Sequence, residues 1–254
     1  MASDLSGQRI VITGGSTGIG FEAARAAVAA GARVFITGLP PVDDVRQAAA
    51  RISDDPTVVG YAAMDSSKPE SVIAAAQAAE EFLGVIDVLV NNAGVSSQSL
   101  VVDHVVDRAE AEMRINYFGT FRMTQAILPA MLERGSGTIV NVASTLANVP
   151  APTQANYGAT KAAIKAFSGA LRSEVERSGL NVTVFYPGLT RTAMTSSLNV
   201  RSPGLLDPEA VAKHLVKAIE DHPAHYTTGL LYRSLGLLGR IAPETSRRLL
   251  KRYY

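Results

Sequence analysis

Short β-branched runs alternate with longer Ala-rich stretches along most of this chain, and no other feature limits its fold so strongly. Arg9–Thr13, Arg33–Thr37, Val58–Ala62, Val85–Val90, Thr138–Val142 and Asn181–Tyr186 read as strands. Between them, Gly18–Ala30, Asp43–Ile52, Pro69–Phe82, a long stretch near Val105–Arg134 and Ala155–Arg177 read as helices, and Asp207-Pro208-Glu209 opens another. Continuously apolar strands separated by helices specify a parallel sheet covered on both faces. The expected fold is therefore α/β: a single doubly wound parallel sheet with helices on both sides. No linker, repeat or low-complexity tract interrupts it, so residues 1–229 read as one domain and 230–254 as an extension packed on that domain.

Composition excludes several kinds of chemistry. The chain has 254 residues, 47% hydrophobic and 19% charged, with a net charge of +1 and no Cys. A globular chain of this size buries roughly 70–75% of its unfolded surface, enough for one core without staples. The lack of Cys removes disulfides, thiolate metal sites and a catalytic thiol, and suits a reducing compartment. Near-neutral charge gives no reason to expect nucleic acid as a partner. The first residues lack the basic and apolar segments of a signal peptide, and no run of 18 apolar residues occurs, so the expected location is cytoplasmic. The four His are scattered, and His222 and His225 read as surface residues, so no metal is expected.

The last 25 residues differ. Leu230–Tyr254 carries six Arg and Lys against Glu244, a local net of +5, interleaved with Leu and Ile. The expectation is one C-terminal helix, its apolar stripe on the core and its Arg face in water. The sharper readings of 230–254 are contact with an anionic membrane surface or a partner groove, or service as an active-site lid.

Two groups of residues carry the chemistry. After the first strand comes Thr13-Gly14-Gly15-Ser16-Thr17-Gly18-Ile19-Gly20, leading into a helix. Glycines there let a pyrophosphate approach the backbone at a helix N-terminus, where free N–H groups and the helix dipole favour negative charge. Cofactor choice is expected at the end of the second strand, where an acidic residue would bind the ribose of NAD and an Arg the 2′-phosphate of NADP. Thr37-Gly38-Leu39-Pro40-Pro41 offers neither, and Asp43 and Asp44 follow. Without the carboxylate the main repulsion against a 2′-phosphate is gone; without Arg so is its main attraction. The reading leans to NADP over NAD.

Tyr157 and Lys161 lie four apart on a helix and so share a face. A free Tyr ionises near pH 10, too high for a base at neutral pH, and an adjacent ammonium favours the phenolate. The pair makes a general acid/base. Ser144 directly follows the strand Thr138–Val142, at the strand end where open α/β sheets bind ligands.

Together these features resemble the classical short-chain dehydrogenase/reductase family over residues 6–215. Thr13 to Gly20 matches its cofactor turn, and Asn91-Asn92-Ala93-Gly94 matches its motif after the fourth strand. The resemblance implies a Rossmann-type fold and a catalytic set of Asn116, Ser144, Tyr157 and Lys161. Tyr157 would exchange the hydroxyl proton, Lys161 tune Tyr157 and hold the nicotinamide ribose, Ser144 bind the substrate oxygen, and Asn116 support a proton-relay water. Cofactor contacts would fall on Gly14, Ser16, Thr17, Gly18, Ile19, Gly20, Asp65, Asn92, Ala93, Gly94, Tyr157, Lys161, Pro187, Gly188 and Thr192. The implied activity is NAD(P)-dependent interconversion of a ketone and a secondary alcohol. The implied assembly is a homodimer through the two long helices, or a homotetramer. A non-catalytic dinucleotide sensor of the same fold is the alternative; such a protein would be expected to lack Tyr157 or Lys161.

Where the family often ends in a strand and Val-Asp-Gly-Gly, this chain has Tyr226–Tyr232 and then its basic tail. The substrate pocket is expected among Ser96, Ser97, Gln98, Asn148, Val149, Pro150, Leu189, Met194 and Leu198, under a lid at Arg191–Gly204.

Overall fold

The β-branched runs form a seven-stranded, all-parallel sheet. A computed structural model describes residues 3–196 and 204–250. The strands are β1 (Arg9–Ile12), β2 (Arg33–Gly38), β3 (Val59–Ala63), β4 (Val88–Asn91), β5 (Gly137–Val142), β6 (Leu180–Tyr186) and β7 (His225–Thr227). Their order is β3-β2-β1-β4-β5-β6-β7. The order reverses between β1 and β4, which pair Ile10↔Val88, Val11↔Leu89 and Ile12↔Val90. A crevice opens beyond the strand ends at such a reversal.

Alternation along each strand divides the core between the two faces. Ile10, Ile12, Val34, Ile36, Val88, Val90, Val140 and Val142 pack under α1 (Gly18–Ala29), α2 (Val42–Ile52) and α7 (Pro208–Asp221). Val11, Phe35, Leu89, Ile139 and Val182 face α3 (Pro69–Leu83), α5 (Gly119–Arg134) and α6 (Ala155–Glu174). Both faces are covered, which is why the strands carry no polar alternation.

The stretch expected as one long helix is α4 (Val106–Met113), a π-helical turn at Arg114–Phe118, and α5. The break falls on the predicted catalytic residue Asn116. Single π turns inserted in α-helices often mark functional sites.

The tail departs from expectation. It is two helices, α8 (Gly229–Ile241) and α9 (Pro243–Leu250), with Pro243 opening the second. Pro has no N–H to continue the preceding helix, so the chain breaks there. α8 does not hide its apolar stripe: Leu230, Leu237 and Ile241 are 78%, 58% and 72% exposed. Its inward face is Tyr232, which is buried. A Cβ on Gly188 would overlap the Tyr232 ring, and the Tyr232 hydroxyl donates to the Gly204 carbonyl at 2.7 Å. Among the described residues no helix is long and apolar enough to cross a membrane.

Candidate active site

The glycine turn and the Asn-Asn-Ala-Gly segment hold each other in place. Thr13 Oγ1 accepts the backbone N–H groups of Asn92 and Ala93, both at 3.0 Å. Asn92 Nδ2 donates back to the Thr13 and Gly14 carbonyls at 3.0 and 3.2 Å. Gly14 has φ +65°, and a Cβ there would stand 2.9 Å from Ala93 Cα. Gly18, at φ +57°, opens α1 beside Thr192. The α1 cap residue Thr17 makes no side-chain cap bond, and the first turn has no acidic residue. The N–H groups there are thus open to an anion. This cradle fits the pyrophosphate of a dinucleotide.

Gly14, Ser16, Thr17, Gly18, Ile19, Asp65, Asn92, Ala93, Gly94, Ser144, Tyr157, Lys161, Pro187, Gly188 and Thr192 all line one cavity of about 880 Å³. Two predicted residues lie outside its lining. Gly20 stands behind the turn, where a Cβ would collide with the Gly14 carbonyl; its contribution is packing. Asn116 is fully buried. Its Oδ1 accepts Val95 N–H at 2.8 Å, and its Nδ2 donates to Val95 O and Thr160 Oγ1 at 2.9 and 3.0 Å. The amide thus fastens the loop after β4 to α6, rather than reaching into the cavity.

Lys161 Nζ donates to the Val142 carbonyl at 2.8 Å and sits 5.6 Å from the centre of the Tyr157 ring. Burial pushes the Lys161 ammonium down to about 8, opposed by the Glu112 charge, which raises it. Ser144 caps a short 3-10 turn at Thr145–Ala147, its Oγ accepting Leu146 N–H at 3.2 Å. Asp65 is held below the usual carboxylate range, chiefly by the Ser67 hydroxyl bonded to it. Thr192 caps the 3-10 turn Ala193–Thr195 in a reciprocal capping box with Thr195.

The substrate end differs in part from expectation. Ser96, Gln98, Val149, Leu189 and Met194 line the cavity. Ser97 and Asn148 instead bond Glu112 and Lys165, and Pro150 is outside the lining. Leu198, with lid residues 197–203, lies outside the described residues. The roof is formed by Leu231, Tyr232 and Leu235 of α8, in line with the lid reading of the tail; sequence reasoning missed Gln154, whose buried Nε2 makes no protein hydrogen bond. It also missed Gln47 and Arg51, which with Asp44 line the cavity beyond the end of β2. Their spacing puts them on one face of α2, and Arg51 stacks on Phe21 with its guanidinium 4.6 Å from the ring centre. Among the described residues no group of three His, Asp or Glu could hold a metal.

The arrangement is an anion cradle and a Ser144, Tyr157 and Lys161 group in one cavity at the strand ends of a parallel sheet. A profile of the short chain dehydrogenase family matches residues 8–202, and the chain belongs to that family. It is similar to the mouse dehydrogenase/reductase SDR family member 7B, 35% identical over 192 residues, 73% of this chain and 58% of that protein. It thus spans under two thirds of the mouse relative's length. An uncharacterized oxidoreductase of Staphylococcus saprophyticus is 32% identical over 87% of this chain and 94% of its own. The solved structure of a short-chain dehydrogenase from Streptomyces avermitilis superposes with a TM-score of 0.82 at 28% identity, covering 93% of each chain.

Proposed function

We propose that the protein reduces a ketone to a secondary alcohol, and can run the reverse, with NADPH preferred to NADH. The observation that carries this reading is the meeting of an anion cradle with Ser144, Tyr157 and Lys161 in one cavity. A nicotinamide dinucleotide, when bound, supplies or takes the hydride. Gly14 to Ile19 would hold its pyrophosphate, Asp65 its adenine end, and Thr192 its carboxamide end. Ser144 donates to the substrate oxygen and steadies the charge that grows on it. Tyr157 gives the proton in reduction and takes it in oxidation. Lys161 favours the phenolate through its charge.

Leu189, Val149, Leu231 and Leu235 around the substrate end support an apolar carbonyl compound. At the end of β2, Leu39 and Pro40 present no carboxylate and Arg51 supplies a cation, which supports NADP; Asp44 on the same wall works against it. A dimer through α4, α5 and α6 is supported by the Tyr117, Phe118, Phe121 and Phe167 rings, clustered where Phe118 and Phe121 are 43% and 37% exposed. A cytoplasmic location is part of the same reading. So is membrane or partner contact through the exposed Leu face of α8, tested by co-sedimentation with anionic vesicles. Titration of the protein with NADPH and NADH tests the central reading. Tighter NADPH, followed by turnover of apolar ketones, is expected. Binding of neither cofactor would overturn it.

A further inference from the structure

Aliphatic side chains that stand in water frame the opening of the cavity. Leu231 lines the cavity and is also 57% exposed, so the apolar wall runs out onto the surface of the protein. That surface continues along α8. At about 100° per residue, Leu230, Leu237 and Ile241 share one face of the helix, and all three are exposed. Arg233, also exposed, flanks the same face. The opposite side of α8 is pressed onto the site. Tyr232 covers Gly188 after β6, and a Cβ on Gly239 would stand 2.5 Å from Val149 Cγ2, beyond β5. The outward face of α8 is therefore the outside of the wall that closes the substrate end.

A second group follows the loop on the rim. Gln98 lines the cavity, and its Nε2 donates at 2.8 Å to the carbonyl of Met194, an exposed lining residue. Two residues past Gln98 the chain reaches Leu100, Val101 and Val102, and the valines are 76% and 87% exposed. Single exposed aliphatic residues are ordinary. Two runs of them beside one opening mark a surface that meets something apolar.

Charge identifies the occupant. Residues 230–254 carry a local net of +5 in a chain whose net is +1, so the rest of the molecule is negative. A second copy docked face to face would bring these cations together, and like charges repel. Protein interfaces draw on aromatic rings at their centre, but Tyr232, the one aromatic residue of α8, faces inward. A Leu face flanked by cations is instead the make-up of a helix lying in the surface of an anionic bilayer. The 13 residues of α8 span about 20 Å, short of the roughly 30 Å of a bilayer core, so the helix lies along the surface.

We propose that α8 lies in the surface of an anionic bilayer, with residues 100–102 beside it, and that the cavity takes its substrate from the lipid: a long-chain carbonyl compound too apolar to dissolve in water. The proposal rests on the reductase reading above and names a substrate class for it. The reaction is unchanged. A hydride reaches the carbonyl carbon from the reduced nicotinamide, a proton reaches the oxygen from Tyr157, and Tyr157 regains its proton from water.

The first test needs neither cofactor nor substrate. The full chain is sedimented with phosphatidylcholine vesicles made with and without phosphatidylglycerol. Wild type should pellet with the anionic vesicles and far less with the neutral ones. A variant carrying Leu230→Ser, Leu237→Ser and Ile241→Ser leaves the cavity lining intact. It should bind the anionic vesicles at least tenfold more weakly, with Tm and NADPH affinity unchanged. Wild type left in solution, or a variant that pellets as wild type does, overturns the proposal. So does a wild-type dimer that the variant loses, seen by sedimentation equilibrium without vesicle binding, which would assign the face to a second copy. Val101→Ser with Val102→Ser, outside α8, should weaken the same binding severalfold; unchanged binding overturns the part given to that rim. The second test compares 2-hexanone in water with 2-tetradecanone carried in the vesicles. The α8 variant should reduce 2-hexanone as wild type does and lose at least tenfold in kcat/KM for 2-tetradecanone. Wild-type values for both overturn delivery from the lipid. If wild type pellets with the vesicles yet reduces neither ketone, the reductase reading fails and the membrane surface stands. If it reduces 2-hexanone yet stays in solution, the reductase reading stands and the membrane surface fails.

Discussion

Tyr157 and Lys161 depend on each other, and their dependence has a pH signature. The ammonium that favours the phenolate is lost as pH rises through about 8, because burial holds Lys161 there. The value of kcat/KM, which reports the free enzyme, should therefore fall on the alkaline side with a limb near that pH. Tyr157→Phe removes the proton donor and little else. It should cost about 10²–10⁴ in kcat with the cofactor Kd unchanged, as steady-state rates and fluorescence titration would show. The proximity of Tyr157 and Lys161 was legible in the sequence because a four-residue helical spacing fixes which side chains share a face. Gln154 and Arg51 were not. Their importance comes from loops and helices that meet only in the folded chain, and each by itself reads as an ordinary polar residue on a helix.

At the scale of elements, the glycine turn is a backbone fitted against a backbone. Gly14→Ala would force a side chain into φ +65° and against Ala93. The strain costs about 1–3 kcal/mol, read as a lower Tm, and NADPH binding should be lost with it. At the end of β2, Leu39 is exposed and lines the cavity. Leu39→Arg should strengthen NADPH relative to NADH, measured by titration of both; an unchanged ratio would mean that this strand end does not face the ribose. The strands and most helices could be read from apolar runs and from Gly and Pro at their ends. The π turn at Arg114–Phe118 could not, because the one-residue shift it puts into the apolar phase is too small to separate from the irregular spacing of apolar residues along so short a stretch. For α8, the interleaving of Leu with Arg reads as a helix, but the pattern does not tell which way its apolar stripe faces.

Across the whole molecule, the sheet carries the glycine cradle and the Ser144, Tyr157 and Lys161 group, while α8 walls the cavity over them. Tyr232 packs on Gly188, and Leu231 and Leu235 complete the wall. Deleting 233–254 keeps Tyr232 and removes Leu235. The chain should still fold and bind cofactor. KM for an apolar substrate should rise roughly tenfold, the effect of losing about 1.5 kcal/mol of apolar burial. An unchanged KM would place the substrate away from α8.

The Tyr232–Gly188 contact has a consequence for how such a protein diversifies. The Pro187-Gly188 turn in the cavity wall is pressed against a ring from a segment that adds no strand to the sheet. Single substitutions along α8 can therefore redraw the range of molecules admitted while the chemistry beneath is inherited intact. On the proposed reading, part of the selectivity is written in α8, apart from Ser144, Tyr157 and Lys161, and that part can drift while they stay still.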